Sequence, residues 1–355
     1  MHGIQVVTVL EQGAYRAALD SPPHACFVLT NTRSLDAPAA AGLTARAARG
    51  LLAVARSQSA RIQLISRSDS TLRGHVVAEV EALHEVRRDV HGSGFDAVLL
   101  IPAFLEAGRV TAADIHWARV GGELMPVGQT EFARDSAFGY TSSNLRDFLA
   151  EKSGGLIERD EVRSIGLTDI RIGGPPRVSE LLASAQDGMW IVVNATEYSD
   201  LETVAYGALL AERAGKSLLF RTGPSFVRAL SGLEPKAPLR SQQIRPAVAR
   251  RGHGLIVVGS HVSQTSRQLA CLRRHGGTTD VELDVSAIVS GADDTVTAAA
   301  RQVARALDRS DVLLYTSRTI IRGDDAADSL AIARRVSGAL SRIVREALAA
   351  GPAIR

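Results

Sequence analysis

Short apolar runs rich in Val and Ile alternate with longer amphipathic stretches along almost the whole sequence, and this rhythm constrains the fold more than any other feature. Strand candidates lie at 4–10, 25–30, 61–66 and 97–101, with helical candidates at 37–56, 76–88 and 142–151. Such brief runs with glycine-bounded ends fit strands buried on both faces, as in parallel sheets covered by helices. The expected class is α/β, in two domains with largely parallel sheets flanked by helices.

The pattern resumes at 162–166, 177–186, 189–194, 198–214 and 217–221. A proline-containing polar stretch, 231–250, then precedes Leu255-Ile256-Val257-Val258. Because 355 residues exceed what one simple core serves, one domain is expected over 1–235 and another over 250–355. The second continues through helix 263–274, strand 279–284, helix 294–307, strand 311–315 and helix 325–350. Three strands are few for helices of that length, and Gly351-Pro352 reads as a turn towards another strand. The second domain is therefore expected to be incomplete at its C-terminus, in a fragment or a natural short form.

Charge narrows the function classes. The 41 Lys and Arg against 38 Asp and Glu leave +3, without a basic block, so no nucleic-acid partner is expected. No stretch reaches about 18 residues free of charged and polar breaks, and Met1-His2-Gly3 lacks the basic flank of a signal peptide. A cytoplasmic chain with no membrane partner is expected. Cys26 and Cys271 stand far apart without metal-ligand spacing and read as packed small hydrophobes, with no disulfide. His75, His261 and His275 likewise lack metal-ligand spacing, so no metal site is expected among the side chains.

Three loops carry the chemistry. Ser68-Asp69-Ser70-Thr71-Leu72-Arg73-Gly74-His75 links a strand to a helix. Asp69 can orient or deprotonate a hydroxyl, Arg73 can fork a carboxylate, and Ser70 and Thr71 can bond a polyol. The plainer alternative is a helix capped by Ser70 or Thr71, with Asp69 paired to Arg73. Pro102 to Thr111 follows the strand 97–101 and brings Glu106 and Arg109 to the edge where open sheets bind ligands. A hairpin from Trp117 to Pro126 around Gly121-Gly122, then a polar turn at Arg134-Asp135-Ser136, reads either as a cover for a pocket or as an ordinary turn. Finally, Gly259-Ser260-His261-Val262-Ser263-Gln264-Thr265-Ser266 opens a helix after a strand, as a phosphate-binding loop or a hydroxyl-rich cap; Walker A spacing and its lysine are absent.

Together these motifs resemble the four-carbon acid sugar kinase family, which includes threonate and erythronate kinases. The resemblance rests on Arg67 to His75, on Pro102 to Arg109, and on Gly259 to Thr265 with Gln268, in the same order and separation. It implies an N-terminal acid-binding domain, a C-terminal nucleotide-binding domain, ATP with Mg²⁺ as cofactors, and phosphorylation of the terminal hydroxyl of a four-carbon aldonic acid. It implies Asp69 as the catalytic group. Arg33, Ser70, Thr71, Arg73, Gly74 and Arg109 would hold the acid, and Ser260, Ser263 and Thr265 the nucleotide. The oligomeric state stays open, a homodimer being one option.

The family pattern also has an opening strand with an Ala-Asp-Asp-x-Thr-Gly-Ala loop and a closing Gly-Gly-x-Thr-Ser-type segment, neither of which this sequence contains. Arg67 stands for a usual Lys and Leu105 for a usual Pro. A catalytically impaired binding or regulatory protein on the kinase fold is thus the main rival. An NAD-dependent oxidoreductase is disfavoured by the lack of GxGxxG after a strand.

Overall fold

The computed structural model describes residues 5–20, 25–234, 237, 239–240, 243 and 252–350. The chain divides into two compact units, Met1–Pro235 and Lys236–Arg355. The first unit opens with β1 (Gln5–Val7), α1 (Gln12–Asp20) and β2 (Cys26–Val28), the strands pairing in parallel. Next come α2 (Ala37–Ser57), β3 (Ile65–Arg67), α3 (Val76–His91) and β4 (Ala97–Ile101). An antiparallel sheet of β5 (Arg109–Ala112), β6 (Ile115–Val120) and β7 (Glu123–Pro126) follows. The unit closes with α4 (Leu145–Lys152), β8 (Arg163–Ile165), α5 (Gly174–Ala183), β9 (Met189–Val193), α6 (Tyr198–Arg213), β10 (Leu218–Thr222) and α7 (Pro224–Leu230).

The main sheet is parallel, in the order β3-β10-β4-β9-β8. β4 lies at its centre, and every one of its residues is buried. Side chains alternate across the pleat. Ala97, Leu99 and Ile101 pack with Val178 and Leu182 of α5 and Leu201 and Val204 of α6. Val98 meets the other layer, with Ala48 and Leu52 of α2 and Val80 and Val86 of α3. That two-sided burial explains why the sequence there is an unbroken apolar run.

The second unit comprises β11 (Leu255–Val258), α8 (Ser263–His275), β12 (Thr278–Leu283), α9 (Val285–Val289), α10 (Asp293–Leu307), β13 (Asp311–Thr316) and α11 (Ala326–Ala350). Its sheet is parallel, in the order β11-β13-β12. Val281, Leu283, Val312 and Leu314 pack against Val303 of α10 and Ile343 of α11, while Leu313 and Tyr315 face Leu269 of α8. The expected class and largely parallel sheets are what the chain adopts.

Several details differ from expectation. Helix α1 is an element not expected from the sequence, because its buried face is only Tyr15 and Ala18, too small to stand out as a periodic stripe. The strand expected over 61–66 forms only at Ile65–Arg67, and that over 4–10 only at Gln5–Val7. Cys271 is exposed rather than packed, because α8 turns Leu269 inward, and Cys26 is half-buried. Most of the polar stretch 231–250 lies outside the described residues.

Candidate functional site

Three loops of the first unit leave the carboxyl ends of neighbouring strands β3, β10 and β4, the edge where parallel sheets bind ligands. After β3, the Ser68 N–H donates to the Thr222 carbonyl at 2.8 Å. Leu72 then takes a left-handed conformation at φ 66°. Such backbone costs roughly 1–3 kcal/mol in a non-glycine residue. Burial of the Leu72 side chain among Val76, Leu100, Ala118 and Phe148 holds it there. At Gly223, after β10, a Cβ would stand 2.5 Å from the Ala103 carbonyl oxygen, so only glycine lets the β10 and β4 loops approach.

Two buried side chains pin the loop from beneath. The Tyr140 hydroxyl donates to the Thr71 carbonyl at 2.7 Å. His116 on β6 reaches the Ser70 carbonyl through Nε2 at 2.9 Å and meets Thr111 Oγ1 through Nδ1 at 2.9 Å. The carbonyl can only accept, so Nε2 carries the proton and Nδ1 accepts from Thr111. Burial pushes His116 down from 6.5 to about 4 and keeps it neutral.

Asp69 stands at the centre of the charged cluster. Its Oδ2 accepts from Arg73 Nε at 2.7 Å and Thr71 Oγ1 at 2.8 Å, and its Oδ1 from the Thr71 N–H at 3.1 Å. Burial alone would raise the Asp69 carboxyl, but the Arg73 charge and the Thr71 bonds bring it below its ordinary value. Arg33 lies in the short turn Thr32–Ser34 after left-handed Asn31 and stands 3.6 Å from Asp69. Arg33 and Arg73 each lie 3.5 Å from Asp135. Arg109, at the start of β5, faces the same group and feels the Asp69 charge; its Nε is buried without a hydrogen-bond partner among the described residues. The Phe132 ring lies 5.1 Å from the Arg73 guanidinium and 5.5 Å from that of Arg109.

Arg33, Asp69, Ser70, Thr71, Arg73, Gly74 and Arg109 therefore converge, although they come from three separate stretches of sequence. Of the helix-cap alternative, the Asp69–Arg73 pair forms but the cap does not: His75 occupies the cap position of α3 without a side-chain cap bond, while Ser70 and Thr71 are buried. Glu106 departs from the group, accepting from Ser225 at 2.7 Å and from the Tyr198 hydroxyl. The Trp117–Pro126 hairpin forms as β6 and β7. It is the segment after the hairpin that supplies Phe132 and Asp135, and only the polar turn at Arg134-Asp135-Ser136 hinted at it.

In the second unit, Ser260 is exposed just past β11, while Ser263 and Thr265 begin α8, whose cap residue is Val262. Arg318 braces this loop, donating to the Ser260 carbonyl at 2.9 Å and to Ser266 Oγ at 2.6 Å. A cavity of about 220 Å³ adjoins it, lined by His261, Ser266, Leu269, Arg273, Arg318 and Ile320. Hydroxyls, guanidinium groups and an apolar wall are a donor set suited to a phosphorylated ligand with a planar base. Among the described residues no group of three or more His, Cys, Asp or Glu is placed to hold a metal ion. No helix among them is long and apolar enough to cross a membrane.

The family model for a sugar-binding N-terminal domain matches residues 1–230, and that for a nucleotide-binding C-terminal domain matches residues 255–354. A solved DUF1537 protein of Haemophilus influenzae is 17% identical, covering 97% of this chain and 88% of its own, with a TM-score of 0.50. A protein of Salmonella typhimurium LT2, provisionally labelled a tRNA synthase, is 16% identical, covering 98% of this chain and 81% of its own, with a TM-score of 0.56. Both likenesses concern the fold. The comparison with curated proteins finds no match.

Proposed function

From the premise that this chain belongs to the family joining a sugar-binding N-terminal domain to a nucleotide-binding C-terminal domain, we propose an ATP-dependent kinase that phosphorylates the terminal hydroxyl of a four-carbon sugar acid such as threonate or erythronate. The observation that carries this reading is the gathering of Arg33, Arg73 and Arg109 around Asp69 and Asp135. Three guanidinium charges against two carboxylates leave one positive charge for the carboxylate of a ligand.

In this reading Arg73, Arg33 and Arg109 bind the acid, and Ser70, Thr71 and Gly74 shape the loop that presents it. Asp69 accepts a hydrogen bond from a substrate hydroxyl and orients it. Its lowered pKa makes it a weak base, which suits phosphoryl transfer, where bond breaking leads and little proton transfer is needed early. Ser260, Ser263, Thr265 and the positive end of α8 would hold the nucleotide phosphates. A bound nucleoside triphosphate with its Mg²⁺ would supply the phosphoryl group.

A coupled ADP-release screen against four-carbon aldonates and the matching neutral tetritols tests the proposal. The kinase reading expects ADP release that depends on an aldonate. Aldonate binding without ADP release would instead identify a binding protein, and equal turnover of the neutral tetritols would remove the role given to the arginines.

A further inference from the structure

The end of the main sheet opposite the Asp69 loop holds another cavity, of about 160 Å³, lined by Arg61, Gln63, Arg87, His91, Glu212 and Lys216, with Leu52 and Phe95 among its apolar neighbours. Arg61 and Gln63 precede β3, Arg87 and His91 lie near the end of α3, Glu212 near the end of α6, and Lys216 ahead of β10. The kinase reading uses none of them. A volume below the roughly 300–1,000 Å³ of drug-sized pockets restricts the cavity to a small ligand.

Its three cations share two carboxylates: Asp96 and Glu212 both act on Arg87, and Asp96 also faces Lys216. Arg87 donates through Nε to the Gly94 carbonyl at 3.1 Å and lies over Phe95, while Lys216 donates to the Ala185 carbonyl at 2.7 Å. Asp96, 3.9 Å from Lys216, accepts from the Ser217 N–H at 2.7 Å. Among the described residues no hydrogen bond reaches the side chain of Arg61 or of Glu212. Glu212 is half-buried, and burial pushes its carboxyl up to about 7 despite the attraction of Arg61 and Arg87. A carboxyl raised in this way carries a proton over part of the neutral range, and Asp96 is then the remaining carboxylate facing the three cations. His91 is held below its ordinary value by burial and by Arg87 and Arg56.

We propose that this cavity is a second anion site, in which Arg61, Arg87 and Lys216 bind the phosphate group of a small phosphorylated molecule beside Glu212. Arg61 to Leu64 lie before β3 and Ser68 to Asp69 after it, so the two anion sites occupy opposite ends of one strand. In this proposal the occupant is an effector and not a reactant.

Sulfate, whose charge is constant over the working range, is the probe for calorimetric titration of the whole chain at about pH 6 and about pH 8. The expected result is saturable binding in Arg73→Ala, which disables the Asp69 site, roughly 10-fold tighter at the lower pH. Arg61→Gln weakens it roughly 10- to 100-fold, the range for losing a charged hydrogen bond. Glu212→Gln equalises the two pH values. Failure to saturate, loss of binding in folded Arg73→Ala, indifference to Arg61→Gln, or pH dependence surviving in Glu212→Gln would each overturn the proposal. Failure of the kinase reading would leave these outcomes unchanged.

Discussion

The Arg221 guanidinium on β10 and the Glu79 carboxylate on α3 form an ion pair inside the first unit, their side chains only 3% and 10% exposed. Arg221 Nη1 also donates to Ser66 Oγ at 2.6 Å, and its Nη2 lies 4.0 Å from where a Gly74 Cβ would stand. The pair therefore joins β10 and β3 of the sheet to α3, close beside Gly74.

Removing one partner strands the other charge in the interior. Glu79→Ala is expected to lower stability by about 3–5 kcal/mol, whereas the paired change Glu79→Leu with Arg221→Met recovers most of that loss. Urea unfolding followed by circular dichroism checks both, and equal instability of the single and double variants would contradict a stranded charge.

Asp69→Asn keeps the shape of the carboxylate and removes its charge. In the kinase reading kcat falls roughly 10- to 100-fold, the range for losing a charged acceptor that orients the hydroxyl, while nucleotide affinity holds. Steady-state kinetics beside ADP titration separates the two.

His116 sets a pH dependence whose sign follows from its neutral burial. The unfolded chain binds this proton near the ordinary value of 6.5 and the folded chain only near 4. Its contribution is fully present above about pH 6.5 and is lost as pH falls towards 4, reaching about 3 kcal/mol. Stability curves of the native chain and His116→Asn should diverge between about pH 4 and pH 6.5 and run parallel on either side of that window.

Much of this was legible in the sequence for identifiable reasons. Ala97 to Ile101 announced a buried strand because both faces are covered, and Asp69 with Arg73 marked the loop where the charged cluster forms because their charges have no use in a core. Phe132 was hidden and Asp135 showed only as part of a polar turn, since nothing local ties a segment beyond a hairpin to a distant loop. Arg221 looked like an ordinary strand residue, as its partner Glu79 comes from a distant helix. Glu106 and Arg109 are near neighbours in sequence, yet the turn at Gly108, φ 65°, sends their side chains to different clusters.

The two cysteines provide a simple check on how the helices are oriented. Cys271 is exposed, whereas Cys26 is half-buried with its thiol pushed up by burial. A thiol reagent is expected to label Cys271 rapidly in the native chain and Cys26 only slowly until denaturant is added. Mass spectrometry of the labelled peptides reads the order.

The most direct test of the arginine cluster is paired calorimetry on the intact chain and Arg73→Ala, with threonate or erythronate in one titration and ADP in the other. The account predicts that acid affinity falls roughly 10- to 100-fold in the variant while ADP affinity stays near its original value. Unchanged acid affinity, or parallel loss of both affinities in a folded variant, would contradict it.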